Sequence, residues 1–287
     1  MNLPRQIQLE SFLGKDACLV ERIFGGSIAE CWQVAYRGET CFLKYYPNKP
    51  EIVEAEIYGL EAIGTKQGVR VPKVLKVNGD RLLLEWIEAK VPTREDMYAF
   101  GESLASLHSD QSGMIGFKMD NYIGESLQKN QPQLLMSKSA WADYFYHSRL
   151  GYQVELAQSS PYGDEIVNLH RNSREAVLAK LSQVEDYSCL LHGDLWRGNF
   201  IVSPSGDTYV FDPAVYYGSP EVDISMSTLF GGFNKSFYEG YFSKISFAKG
   251  YEEREPIYHL YNVLNHLNLF GSAYYTQVCE IYRRIDR

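Results

Sequence analysis

The sequence predicts an α+β protein of two lobes, a small antiparallel sheet carrying one helix and then a larger, mostly helical part. Two observations predict it. Short β-rich runs separated by turns dominate up to about residue 90, and long segments with helical spacing follow. One β-rich island, residues 188–212, interrupts the helical part. A sheet lobe beside a helical lobe leaves a cleft between them, a common place for a small-molecule site. On this reading the chain divides into residues 1–88 and 89–287.

In the first lobe, residues 19–24 read as a strand. Gly25, Gly26 and Ser27 follow as a turn, then residues 28–36 as a second strand with Trp32, Val34 and Tyr36 on one face. Arg37-Gly38-Glu39 makes a hairpin turn and residues 40–46 return as a third strand. Pro47 and Pro50 break the chain. Ile52, Ala55, Gly59 and Ile63 then recur at helical spacing over residues 51–63, with Gly64 as the stop. Residues 69–77 and 81–88 flank Asn78-Gly79-Asp80, whose Asn-Gly pair signals a hairpin. The sum is a sheet of about five strands with one helix inserted after the third.

Residues 89–92 form the linker. Thr93 with Asp96 three positions on gives a capping-box pattern, and Met97, Phe100, Leu104 and Leu107 line one face of the next helix. Further helices are predicted at 138–156, 161–184, 221–230, 235–246 and 253–284. The island holds a short apolar entry, a polar loop, and a hairpin of residues 200–203 and 208–211 around 204–207.

Composition narrows the function. The 287 residues carry 28 Lys+Arg against 36 Asp+Glu, a net charge of −8, which argues against a nucleic-acid partner. The five cysteines are odd in number and form no CxxC pair. They suit neither a disulfide framework nor a thiolate zinc site, and fit a reducing compartment. The amino terminus has no apolar run of signal-peptide length, and no window reaches the roughly 18 apolar residues of a membrane span. The expectation is a cytoplasmic protein without a membrane partner.

The island carries the chemistry. It reads His192-Gly193-Asp194-Leu195-Trp196-Arg197-Gly198-Asn199, then Phe211-Asp212-Pro213. Asp194 and Asn199 share a loop, and a hairpin can return Asp212 to the same neighbourhood. One carboxylate to accept a hydroxyl proton, with an amide oxygen and a second carboxylate to hold Mg²⁺ on phosphates, is what phosphoryl transfer requires. A turn whose Asp and Asn cap local backbone is the alternative for any one of these residues. Upstream, the backbone of Gly25 and Gly26 could approach a phosphate closely, or form a plain β-turn. Lys44 interrupts an apolar strand, as an edge residue or as a buried paired lysine; Glu56 or Glu54 on the next helix could pair with it. Glu85, Trp86 and Ile87 would form the hinge, with backbone groups available to an adenine. His192 reads as a brace for the loop. His266, on an apolar helix, is a core histidine or a substrate contact.

With these residues in place, the chain resembles the protein-kinase-like superfamily on its aminoglycoside phosphotransferase side, where the loop reads His-Gly-Asp. It resembles more closely the fructosamine/ketosamine kinases, in Gly25–Ile28, residues 54–60, 191–199, 212–218, 221–224, 229–233 and 261–271, and above all in the tracts 212–233 and 265–271. The resemblance spans essentially the whole chain from Ser11. It implies a two-lobed protein-kinase-like fold and transfer of the ATP γ-phosphate to the 3-hydroxyl of a ketosamine such as fructosamine or ribulosamine, linked to deglycation because the product sheds its sugar fragment. It implies Asp194 as catalytic base and Asn199 and Asp212 as Mg²⁺ ligands. Gly25, Gly26, Ser27, Lys44, Glu56, Glu85 and Ile87 would hold ATP, with Trp196 and His266 at the sugar. Ser27 stands where many relatives carry a Cys associated with redox control, so that property is not expected here. Acidic residues at the cleft mouth would favour a protonated amine; Glu221 and Asp223 are candidates, or helix-cap or structural residues. The loop alone fits equally a kinase of another alcohol, such as an aminoglycoside, choline or a methylated thiosugar. A non-catalytic nucleotide-binding protein is disfavoured by the intact Lys44, Asp194, Asn199 and Asp212.

Overall fold

Period-two alternation of apolar residues builds the first sheet and gives it two buried faces. The computed structural model describes residues 5–24, 28–184 and 188–286. Helix α1 (Arg5–Leu13) precedes five strands: β1 (Cys18–Ile23), β2 (Glu30–Tyr36), β3 (Glu39–Tyr45), β4 (Val74–Asn78) and β5 (Arg81–Glu85). They pair antiparallel in the order β1-β2-β3-β5-β4, with α2 (Pro50–Gly64) between β3 and β4. The sheet of five strands with a helix after the third is the arrangement expected. Val34, Cys41, Leu43 and Leu83 face α1 and bury its Leu9, Phe12 and Leu13. Leu82 and Leu84, one step out of phase, face α2 and its Ile52, Val53 and Leu60. The fourth strand starts only at Val74, after Pro72, which has no N–H for a ladder. Helix α1 lies outside the predicted elements: Leu9, Phe12 and Leu13 stand at helical spacing, but a single such stripe in nine residues is a weak signal.

Helix α3 (Arg94–His108) opens with the predicted capping box. Thr93 Oγ1 accepts from Asp96 N–H at 3.2 Å, and Asp96 Oδ2 accepts from Thr93 N–H at 2.9 Å. It packs closely on the helix Lys235–Phe242, and two glycines make that approach possible. A Cβ on Gly101 would stand 2.0 Å from Phe237 O, and one on Gly240 would stand 2.1 Å from Tyr98 O. Gly101→Ala is therefore expected to cost about 1–3 kcal/mol. Gly113→Ala, where nothing lies within 4 Å, serves as control. Denaturant unfolding of the pair checks this; equal midpoints would show that the helices can part freely.

The remaining helices enclose one large core. The segment predicted as one helix at 138–156 is continuous but widens into π-helix over Phe145–Gly151. The one predicted at 161–184 breaks at Ser173 into Gly163–Asn172 and Arg174–Leu181. The one at 253–284 breaks at Gly271, in the left-handed region at φ +82°, into Tyr251–Phe270 and Tyr275–Ile285. The island forms a buried strand, Ser188–Leu191, between Tyr216–Gly218 and Gln111–Ser112, and a hairpin of Phe200–Val202 with Thr208–Val210. That hairpin joins the two parts of the chain. Arg70 N–H donates to Thr208 O at 3.0 Å, Val210 N–H to Arg70 O at 2.8 Å, and Lys90 N–H to Val202 O at 2.9 Å.

Candidate active site

The buried strand Ser188–Leu191 delivers the chain to His192 and Gly193, where it turns at φ +83°. A Cβ at Gly193 would stand 2.0 Å from Ala214 O, so this turn needs glycine twice over. Asp223, on the helix Glu221–Leu229, accepts from His192 N–H at 2.7 Å and Gly193 N–H at 2.8 Å. His108 holds Asp223 from behind at 3.2 Å, and Tyr241 OH lies 2.9 Å from the other His108 nitrogen. Asp223 and His108 are fully buried. Burial works to raise the Asp223 pKa, but the His108 hydrogen bond and the loop donors outweigh it and hold the carboxyl below the usual range. His192 braces the loop further: Asp194 N–H donates to its Nδ1 at 3.3 Å, so Nε2 carries the proton and donates to Phe211 O at 3.0 Å.

Asp194 is half-buried at the end of this scaffold. Burial first, then the Asp212 charge, push its pKa up to about 7 against the opposing Asn199 hydrogen bond. Asn199 is buried; its Nδ2 donates to Asp194 O at 2.9 Å and Oδ2 at 3.2 Å, and among the described residues its amide oxygen has no donor. Phe211 N–H donates to Asn199 O at 3.2 Å, and this bond returns Asp212 to the loop, as the hairpin length predicts. Asp212 takes φ +56°, an unusual conformation for a residue with a Cβ.

Lys44 completes the cluster from β3. It is buried, its Nζ lies 2.7 Å from Glu56 Oε1, and it also ion-pairs with Asp212. Burial works to strip its proton, but Asp212 and Glu56 outweigh it and raise its pKa well above the lysine range. Tyr46 OH donates to Glu56 Oε2 at 2.7 Å. The partner of Lys44 on α2 is thus Glu56; Glu54 is exposed. Cys31, opposite Lys44 in the sheet, is not a reactive thiol: burial pushes it up to about 11.

The other expected residues fall as follows. Gly25, Gly26 and Ser27 lie outside the described residues. Glu85 N–H donates to Lys73 O at 2.9 Å and its carboxylate accepts from Lys73 N–H at 2.8 Å, so that side chain ties the end of β5 to the residue before β4. The Ile87 backbone carries no hydrogen bond among the described residues. Trp196 folds over Gly198, where a Cβ would stand 2.4 Å from the ring. Its ring lies 6.3 Å from that of Phe230, which lies 4.9 Å from His266. His266 is half-buried, its Nδ1 bonded to Asn262 O at 2.8 Å, so it joins Trp196 on one aromatic wall. Glu221 and Asp223 are buried structural residues and not part of a cleft mouth.

The cluster offers a proton acceptor, two hard oxygen donors from separate loops, and a lysine fixed by a glutamate. A sequence model of the fructosamine kinase family matches residues 5–286. The chain belongs to the fructosamine kinase family. Membership makes it a kinase, and a kinase uses ATP, typically with a divalent metal. A Synechocystis protein named provisionally as a ketoamine kinase is 34% identical over 98% of this chain and 95% of its own length. The chloroplastic protein-ribulosamine 3-kinase of Arabidopsis thaliana is 36% identical over 81% of this chain and 71% of its own. A solved Haemophilus somnus structure, named provisionally as a fructosamine-3-kinase, superposes with TM-score 0.84 at 26% identity over 99% of this chain and 97% of that one. An aminoglycoside phosphotransferase variant in ternary complex with ADP and hygromycin B shares the fold alone, with TM-score 0.62 at 12% identity over 98% and 96% of the two chains. Among the described residues, no helix is long and apolar enough to cross a membrane.

Proposed function

We propose that this protein is an ATP-dependent ketosamine 3-kinase, acting on a sugar hydroxyl of a ketosamine such as fructosamine or ribulosamine. The observation that carries the chemistry is the convergence of Lys44, Asp194, Asn199 and Asp212, four residues from two loops and a distant strand. Family membership and the names of the relatives support the acceptor. The donor set fits magnesium: Mg²⁺ prefers oxygen ligands and keeps sites for water and phosphate, so one amide oxygen and one carboxylate suffice from the protein. Asn199 and Asp212 would hold it. Bound Mg·ATP supplies the electrophilic phosphorus and the ADP leaving group. Lys44, fixed by Glu56, orients the phosphates. Asp194 accepts the proton of the acceptor hydroxyl as that oxygen bonds to phosphorus. Trp196 and His266 present aromatic faces to the sugar.

The test is Mg·ATP-dependent ADP release over a panel of fructosyl- and ribulosyl-amines, aminoglycosides and choline. Turnover on a ketosamine is expected. Turnover only on another alcohol would overturn the acceptor, and nucleotide binding with no acceptor in the panel would overturn the enzyme. The pH profile follows from Asp194. The base works as a carboxylate, so kcat/KM at subsaturating nucleotide should fall about tenfold per unit of pH below about 7. A flat profile from pH 5.5 to 8 would remove Asp194 from the role.

A further inference from the structure

A short hairpin, Asn121–Ile123 with Ser126–Gln128, contributes no residue to the site, yet its two buried amides end on the loop that carries Asp212. Gln128 Nε2 donates to Ala214 O at 3.0 Å and to Asn121 Oδ1 at 2.8 Å. Asn121 Nδ2 donates to Val215 O at 2.8 Å. Gln128 Oε1 in turn accepts from Tyr261 OH at 2.8 Å, on the helix that carries His266. Arg149, fully buried in the π-helical stretch, donates to Lys129 O and, at 2.6 Å, to Asn130 Oδ1, and so fixes the residues just after Gln128.

The peptide of Ala214 is the point of contact. Its N–H donates to His192 O at 2.8 Å, and its carbonyl faces Gly193 so closely that no Cβ fits there. The Ala214 unit is therefore held between the Asp194 loop on one side and Gln128 on the other. Two residues earlier, Asp212 sits in the left-handed region. Such a conformation persists only where the surroundings enforce it. Within the described residues, the amide pair is the side-chain anchor of residues 214–215. We infer that Gln128 is a positioning residue for Asp212: through the Ala214 carbonyl it sets where the metal-side carboxylate stands relative to Asp194. This rests on the kinase reading above. Buried partners behind a ligand commonly govern metal affinity by 10–100-fold.

The experiment is calorimetric binding of ADP with EDTA, with Mg²⁺ and with Ca²⁺, to the wild type, Gln128→Leu, Gln128→Glu and Asp212→Ala. Gln128→Leu removes the donor to Ala214 O. Gln128→Glu keeps the shape and the acceptor for Tyr261 but sets an oxygen against that carbonyl, and it carries the test should the leucine variant not fold. In both, metal-free ADP should bind as in wild type, while the strengthening by Mg²⁺ falls about tenfold. The loss should be smaller with Ca²⁺, whose coordination is less exacting. Asp212→Ala should abolish the strengthening. An unchanged Mg²⁺ effect, or equal weakening with and without metal, would overturn the inference and leave the kinase reading intact. A wild type that binds no ADP would overturn both.

Discussion

Asp194→Asn is expected to lower phosphoryl transfer by about 10²–10⁴-fold and to raise thermal stability. Asn has the shape of Asp and can keep an oxygen toward Asn199 Nδ2, 3.2 Å away in the wild type, so the loop need not move. What it cannot do is take a proton. The stability gain has a separate cause. Burial and the Asp212 charge raise the Asp194 pKa to about 7 from its ordinary value of 3.8. The folded state thus binds more protons than the unfolded chain across that interval, and stability present below it is lost as pH rises toward 7. Removing the charge should recover about 2–4 °C in Tm at pH 8, for roughly 1 kcal/mol, and nothing at pH 4. Thermal melts over that range check it: a Tm gap that does not widen with pH would refute the desolvation argument. Undiminished turnover would refute the base assignment.

Arg254→Ala should cost about 3–5 kcal/mol, the largest stability loss expected here. Arg254 and Glu221 are both buried, and the guanidinium makes Nε and Nη2 bonds to the Glu221 carboxylate at 2.9 and 2.5 Å. Its other hydrogens cap Lys249 O and Ala248 O at 2.9 and 2.8 Å. Truncation leaves a buried carboxylate with Tyr258 OH, at 2.9 Å, as a remaining donor. Because Glu221 starts the helix that carries Asp223, the loss should reach the Asp194 loop and reduce activity as well. Replacing both partners by apolar residues should cost far less than either single truncation, since no lone charge remains. Urea unfolding of the two single variants and the double variant decides this; a loss under about 1 kcal/mol for Arg254→Ala would refute it.

What the sequence made legible was local. His192 to Asn199 and Phe211 to Asp212 are two short stretches whose residue types already name a chemistry, and a hairpin of known length joins them. The lysine stood out because a charge in an apolar strand needs a partner. The supports did not stand out. Asp223 acts on His192 from 31 positions away and His108 on Asp223 from 115, and nothing in the spacing of either residue announces the contact. Gln128 and Asn121 look like surface amides until the fold buries them against the Ala214 backbone. Helix breaks were misread for a related reason. At Gly271 the punctuation was present in the sequence, but apolar periodicity continues on both sides of it, and periodicity does not register a change of axis.

The double engagement of Lys44 turns ligand entry into an exchange of partners. In the resting protein the lysine is already neutralised, by Glu56 on one side and Asp212 on the other. On the proposed kinase reading, a phosphate arriving at Lys44 competes with the aspartate for it, although a third N–H remains, and sets negative charge beside that carboxylate. A cation entering with the phosphate would relieve that repulsion by binding the aspartate carboxylate. On that reading the resting ion pair would favour nucleotide and metal entering together, and because it couples Lys44 to Asp212, substitutions at the two should be non-additive.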